Sequence, residues 1–405
     1  MTIHDSLSEE MQIIILAGRM ELTAGQVNQL RAVAAEPDWL SVLRLASAHG
    51  VRPLILRNLQ AHCPDLVPGE MLDELRLIAR FNVAKSLQQS AELGRITRLL
   101  EEAGIPLYPY KGVALGEQLY GDAALRESGD IDIIVPKAQA MDAVALLRSS
   151  GYRPLYDLTP RQEEVYVLGA NHYTLSHENK SISLEVHWDI ITPHHGIPIG
   201  WQAFWEKQEA SRLQDGEADL LSQPEFHLLL LLLHGGKHRW EALKWLVDVV
   251  QLINQSPSLQ WEELLQEAKH LRVERLVLSG LNLASGLYDV PLPARVNERI
   301  TVHNGVADLT AEVLGVVETP WDGDGITDIG YQLRIRDRCQ DRVRYGSQIV
   351  TMLNFQDVEG EDPASRLDFL RRGARILGNR GVRPTAQLLA QMVAEATKPA
   401  RGKNN

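Results

Sequence analysis

A chain that carries Gly129-Asp130-Ile131-Asp132-Ile133-Ile134-Val135 has few ways to fold. Its β-branched end belongs in a sheet core. Successive strand side chains point to opposite faces, so Asp130 and Asp132 share one face while Ile131 and Ile133 take the other. Along a strand the two aspartate Cα atoms lie roughly 6.6 Å apart, close enough for both carboxylates to reach one cation. Two acids at the mouth of an apolar strand are costly to bury unless something positive neutralises them. A divalent metal ion does so with the fewest parts.

Helical sequence surrounds this strand. Residues 1–104 read as helix throughout, broken at Pro53 and Pro64, and form an N-terminal helical lobe. Residues 105–200 read as an α/β core. There Ile105-Pro106-Leu107-Tyr108-Pro109-Tyr110 is an extended segment whose prolines suit an edge strand. Val113–Tyr120 is a short helix, and Lys137–Ser149 an amphipathic helix stopped by Gly151. His172–Glu178 and Ser181–Trp188 pair as a hairpin about Asn179-Lys180. Residues 201–300 return to helix as a second lobe, including an apolar helix from Pro224, and residues 301–405 read as a mainly helical extension with a basic, disordered tail from Lys398. The fold class expected is α+β, a small mixed sheet flanked by helical lobes. Trp39, Leu43, Ala46, Val51, Leu54, Leu56 and Leu59 recur without a gap as Trp261, Leu265, Ala268, Val273, Leu276, Leu278 and Leu281, which predicts two similar helical hairpins.

The net charge of −12 argues against broad electrostatic binding to nucleic acid or to anionic membranes. Cys63 and Cys339 form no ligand spacing and no disulfide framework, as suits a reducing cytoplasm. No secretory signal is evident at the start, and the longest apolar run, Leu228–Leu233, is far short of the ~20 residues a bilayer needs. A cytoplasmic protein with no membrane partner is expected; its oligomeric state is left open.

Lys111-Gly112 closes one short strand and opens a helix, where backbone N–H groups and a compact positive charge make a phosphate cradle. Arg126 can reach a triphosphate from the connecting loop, and Ser128 can brace that loop by bonding its backbone. Ser183-Leu184-Glu185-Val186-His187-Trp188 offers Glu185 as a third acid if its strand neighbours the Asp130 strand. Three carboxylates could then hold two metals roughly 3.5–4 Å apart for in-line displacement on a triphosphate. Oxygen ligands favour magnesium, with manganese as the alternative. Glu185 would be a metal ligand or a general base. Lys237 is a further triphosphate contact from the helical lobe.

Taken together, Lys111-Gly112-x-x-Leu115, Leu119-Tyr120, Arg126, Gly129-Asp130-Ile131-Asp132 and Glu185-x-His187-Trp188 resemble the nucleotidyltransferase fold of the DNA polymerase beta superfamily, and most closely its bacterial family of uncharacterised nucleotidyltransferases. His234, Lys237-His238, Trp245-Leu246 and Asp248 extend the resemblance, which covers roughly residues 35–285. It implies a nucleoside triphosphate bound with magnesium and a catalytic set of Asp130, Asp132 and Glu185. Two features depart from the pattern: Val113 follows Gly112 where the superfamily usually has serine, and Glu185 stands where aspartate is expected.

The function expected is transfer of a nucleoside monophosphate to an acceptor hydroxyl or phosphate, with pyrophosphate released. A small metabolite or modified peptide suits the acidic chain better than nucleic acid. The Lys-Gly…Arg-x-Ser-x-Asp-x-Asp pattern is also similar to nucleotidyltransferase toxins acting on RNA, and a non-catalytic nucleotide-binding scaffold is a rival of another class. Among the remaining motifs, His227, His234 and His238 have helical spacing open to zinc, but Gly235-Gly236 weaken a helix there. Asp248 reads as a cap or pair within its own lobe. His194-His195 reads as a loop pair, and Trp321-Asp322-Gly323-Asp324-Gly325 as a turn.

Overall fold

The computed structural model describes residues 7–192, 197, 205, 223–318 and 325–351. His194-His195, residues 321–324 and the tail from Lys398 lie outside the described residues. The fold is α+β. Five strands form one mixed sheet: β1 (Tyr108–Pro109), β2 (Ile131–Ile134), β3 (Tyr152–Pro154), β4 (His172–His177) and β5 (Ser183–His187), in the order β1-β2-β5-β4-β3. The proline-bearing β1 takes an edge, where a missing N–H costs no ladder bond. β2 and β5 run parallel, and β1–β2, β5–β4 and β4–β3 pair antiparallel. The strand β3 and the helix Pro160–Gly169 fall in a stretch that sequence periodicity left unassigned.

The helices are α1 (Glu9–Ala17), α2 (Ala24–Val33), α3 (Trp39–His49), α4 (Arg52–His62), α5 (Gly69–Glu102), α6 (Gly112–Tyr120), α7 (Ala140–Ser149), α8 (Pro160–Gly169), α9 (Pro224–Lys237), α10 (Leu243–Gln255), α11 (Trp261–His270), α12 (Glu274–Tyr288), α13 (Ala294–Val302), α14 (Val306–Val317), α15 (Gly325–Arg334) and α16 (Cys339–Thr351). No helix among the described residues is long and apolar enough to cross a membrane. The recurring apolar pattern is structural: α3–α4 and α11–α12 are both helical hairpins. Each turns on a left-handed residue, Gly50 (φ 64°) or Arg272 (φ 61°). The following valine then bonds back in the same way, Val51 N to Ala46 O at 3.2 Å and Val273 N to Ala268 O at 2.8 Å.

Alternation along β2 divides the sheet into two faces. Ile131, Ile133 and Val135 join Leu184 and Val186 of β5 in a core closed by Ile96 and Leu100 of α5 and Val144 and Leu147 of α7. Each such side chain contributes about 1.5–3 kcal/mol. That burial fixes the register, because a one-residue slip would turn the isoleucines outward and the acids inward. On the opposite face Ile134 packs into a larger cluster shared by helices from before and after the sheet, which includes Leu54, Leu119, Leu228, Leu246 and Leu276. The polar residues of β2 and β5 therefore look toward the helical lobes.

Candidate active site

Parallel pairing of β2 with β5 sets Asp132 directly opposite Glu185, and Ile134 opposite His187. Asp130, in the bend just before β2, completes an acid cluster: one oxygen from each of Asp130, Asp132 and Glu185 lies within 4.8 Å of the others. The set is compatible with a divalent cation. It lines one wall of a cavity of about 740 Å³ that also meets Lys111, Lys237 and Lys244. Three acids and three amines thus line one space large enough for a triphosphate.

The charges are already partly matched. Lys111 Nζ lies 2.9 Å from Asp132 Oδ1, and His187 Nε2 lies 3.1 Å from the same oxygen. Burial would raise the Asp132 carboxyl, but Lys111 and His187 outweigh it and hold the group well below the usual range. The same pairing raises Lys111 despite its burial. At Asp130 the balance goes the other way: burial first, then Asp132 and Glu185, outweighs Lys111 and Lys244 and pushes its carboxyl up to about 6. Glu185 is lowered against its burial, chiefly by His187, whose Nε2 lies 2.9 Å from Oε2. Lys237 is pushed down to about 8 by burial and by Lys111, and its Nζ donates to Ile190 O at 3.2 Å.

Ser128 Oγ donates to Asp130 O at 2.7 Å, bracing the loop that delivers the acids. Gly112 has φ +64°, and a Cβ there would stand 3.1 Å from Asp130 O and 3.3 Å from Ser128 Oγ. Its visible role is to let α6 start against this loop. Arg126 lines the same cavity and also pairs with an acid. It is buried, its Nε and Nη2 both donate to Asp248 at 2.9–3.1 Å, and its Nη1 reaches Gly112 O at 3.4 Å. Asp248 accordingly pairs across to the sheet unit, not within its own lobe, and also accepts from Tyr120 Oη at 2.7 Å. Arg52 at the start of α4 grips the Glu127 carboxylate, and Lys244 Nζ donates to Glu127 O at 3.2 Å. The loop is therefore clamped from both helical lobes.

Of the three histidines at helical spacing, His227 is tied to Tyr108 Oη at 2.7 Å and to Gln223 O at 2.9 Å. His234 and His238 pack with Trp245, ring centres 5.0–5.3 Å apart. The glycines beside them serve packing: α9 runs on to Lys237, and a Cβ at Gly235 would stand 2.2 Å from the Trp240 ring. Sequence reading passed over Lys244 and His172. The signal for His172 was present, since a turn centred on Asn179-Lys180 fixes every pair of the hairpin, including His172 with His187.

A family model described as an uncharacterised nucleotidyltransferase matches residues 35–289, more than half of the chain. No curated protein and no solved structure matches it.

Proposed function

The chain belongs to the family of uncharacterised nucleotidyltransferases and is a transferase, and from that premise we propose that it moves a nucleoside monophosphate from a magnesium-bound triphosphate to a small-molecule or peptide acceptor. The observation that carries this reading is the acid cluster of Asp130, Asp132 and Glu185, lining one cavity with Lys111, Lys237 and Lys244. All three acids offer oxygen, the donor that magnesium and manganese prefer. A divalent cation held there neutralises charge on the triphosphate and on the attacking and leaving oxygens. Asp130 and Asp132, from one strand end, and Glu185, from the next strand, hold it on rigid elements. Lys237 and Lys244 meet phosphate oxygens from the helical side. Lys111 bonds Asp132 and would be free to meet phosphate were a cation held at that carboxylate. Arg126 acts indirectly, by anchoring the loop through Asp248.

The acceptor hydroxyl attacks the α-phosphorus, the bond to the bridging oxygen breaks, and pyrophosphate leaves with that electron pair. The hydroxyl proton passes to a base, a role we give to Glu185 where it does not hold the cation. The net charge of −12 favours a small acceptor over RNA. Incubation with each α-labelled triphosphate, magnesium, and separate pools of metabolites, peptides and RNA tests this. Label should enter the small acceptors with stoichiometric pyrophosphate; label confined to RNA would overturn the acceptor class.

Cation binding should depend on pH through Asp130, whose carboxyl sits at about 6. Only the ionised form ligates, so a proton competes below that value. Lowering the pH from 7 to 5 should weaken magnesium binding by about tenfold. Calorimetry in two buffers of different ionisation enthalpy would count the proton released; affinity independent of pH over that range would contradict the assignment.

A further inference from the structure

Beside the acids, the same sheet face carries two imidazoles. β4 and β5 place His172 opposite His187, and their ring centres are 4.8 Å apart. Glu185 stands between them, with Oε2 2.9 Å from His187 Nε2 and Oε1 3.6 Å from His172 Nε2. One donor atom from each of the three residues lies within 4.8 Å of the other two.

The partners of Asn171 fix which nitrogen of His172 is available. Asn171 Nδ2 donates to Asp189 O and Ile190 O, both at 3.2 Å. Its Oδ1, 3.1 Å from His172 Nδ1, is therefore the end that accepts. The ring proton belongs on Nδ1, and the Nε2 lone pair faces the Glu185 carboxylate. Two acceptors in that relation repel unless something positive stands between them. An outer hydrogen bond that fixes the ring and its tautomer is the usual support of a metal-bound histidine.

We propose that His172, His187 and Glu185 hold a borderline transition-metal ion of the zinc class, beside the all-oxygen cation position and sharing Glu185 with it. Imidazole suits zinc far better than magnesium, and two histidines with one glutamate leave a position open for water or substrate. Ligand bonds of about 2.0–2.2 Å in a tetrahedron put donor atoms about 3.3 Å apart. Glu185 Oε1 stands 3.6 Å from His172 Nε2, near that distance, whereas the 2.9 Å between Oε2 and His187 Nε2 is a hydrogen-bond length, so an ion there must displace the bonded proton. His172 lines the large cavity, so the ion can enter from solution and its open position faces the same space as the triphosphate. The competitor is a proton on His187 Nε2, shared with Asp132 and Glu185. The inference rests on donor geometry and not on nucleotidyl transfer, so either can fail alone.

The test uses the full chain, stripped with chelator and dialysed against zinc with excess magnesium to fill the oxygen position. The wild type should retain one zinc per chain. His172→Ala should weaken it on the order of 100-fold, at least what loss of an outer-shell partner costs. Asp130→Asn, outside the nitrogen set, should leave zinc affinity close to that of the wild type while magnesium affinity falls. X-ray absorption on the zinc-loaded wild type should count two imidazole ligands, a readout that needs no variant to fold. Fewer imidazoles, unchanged zinc affinity in His172→Ala, or an equal loss in Asp130→Asn would overturn the proposal.

Discussion

Asp130→Asn should lower nucleotidyl transfer by at least about 1000-fold and, at pH 7.5 without metal, leave the protein as stable as the wild type or more so. The two effects share a cause. Lewis-acid neutralisation is worth several kcal/mol in the transition state, and each 1.36 kcal/mol is tenfold in rate. In the metal-free protein, however, the Asp130 charge is a burden. Its carboxyl is pushed from the ordinary value near 3.8 up to about 6 by burial and by two neighbouring acids. A carboxyl raised in the folded state favours folding when protonated, and that advantage is lost as pH rises through about 6. Asparagine removes the penalty above that pH, worth up to about 3 kcal/mol. Asp132→Asn should behave oppositely on stability, because it strips Lys111 and His187 of a buried partner. Rates from labelled triphosphate, and melting curves in chelator, separate the cases. An Asp130→Asn enzyme within tenfold of the wild type, or clearly less stable, would contradict this reading.

The second large effect belongs to Asp248. Replacing it with Ala should reduce the free energy of unfolding by about 3–5 kcal/mol, because it leaves Arg126 charged and unpaired in the interior. The side chains are 1% and 4% exposed, and Tyr120 Oη loses its acceptor in the same step. Transfer should fall too, since Arg126 anchors the loop that carries Ser128 and Asp130. The double variant Arg126→Met/Asp248→Leu removes both charges together and should regain most of the stability without restoring the loop's anchor. Urea denaturation measures the first expectation and turnover the second. A single variant that unfolds like the wild type would mean that the pair does not hold the helical lobe to the sheet.

Local sequence carried much of this site. The alternation of Asp130-Ile131-Asp132-Ile133 announces a strand with one apolar and one acidic face, because side-chain direction has period two. The turn at Asn179-Lys180 fixes the hairpin by simple symmetry. The parallel pairing of Asp132 with Glu185 is different: it follows from a crossover through α7, β3, α8 and β4, and no residue of either strand encodes its neighbour. The Arg126–Asp248 pair joins positions 122 residues apart, and each residue alone reads equally well as a surface charge. The Gly235-Gly236 pair misleads in the other direction. Helix propensity marks it as a weak point, but the close approach of the Trp240 ring to Gly235 and of Leu276 to Gly236 is what requires residues without side chains.

The account stands on carboxylates from two strands holding one cation for the nucleotide, and manganese titration followed by electron paramagnetic resonance tests that without knowledge of the acceptor. Wild-type protein should bind manganese, more tightly when a nonhydrolysable triphosphate is present, and both signals should collapse in Asp130→Asn. Equal manganese binding in the variant, or binding indifferent to the triphosphate, would contradict it.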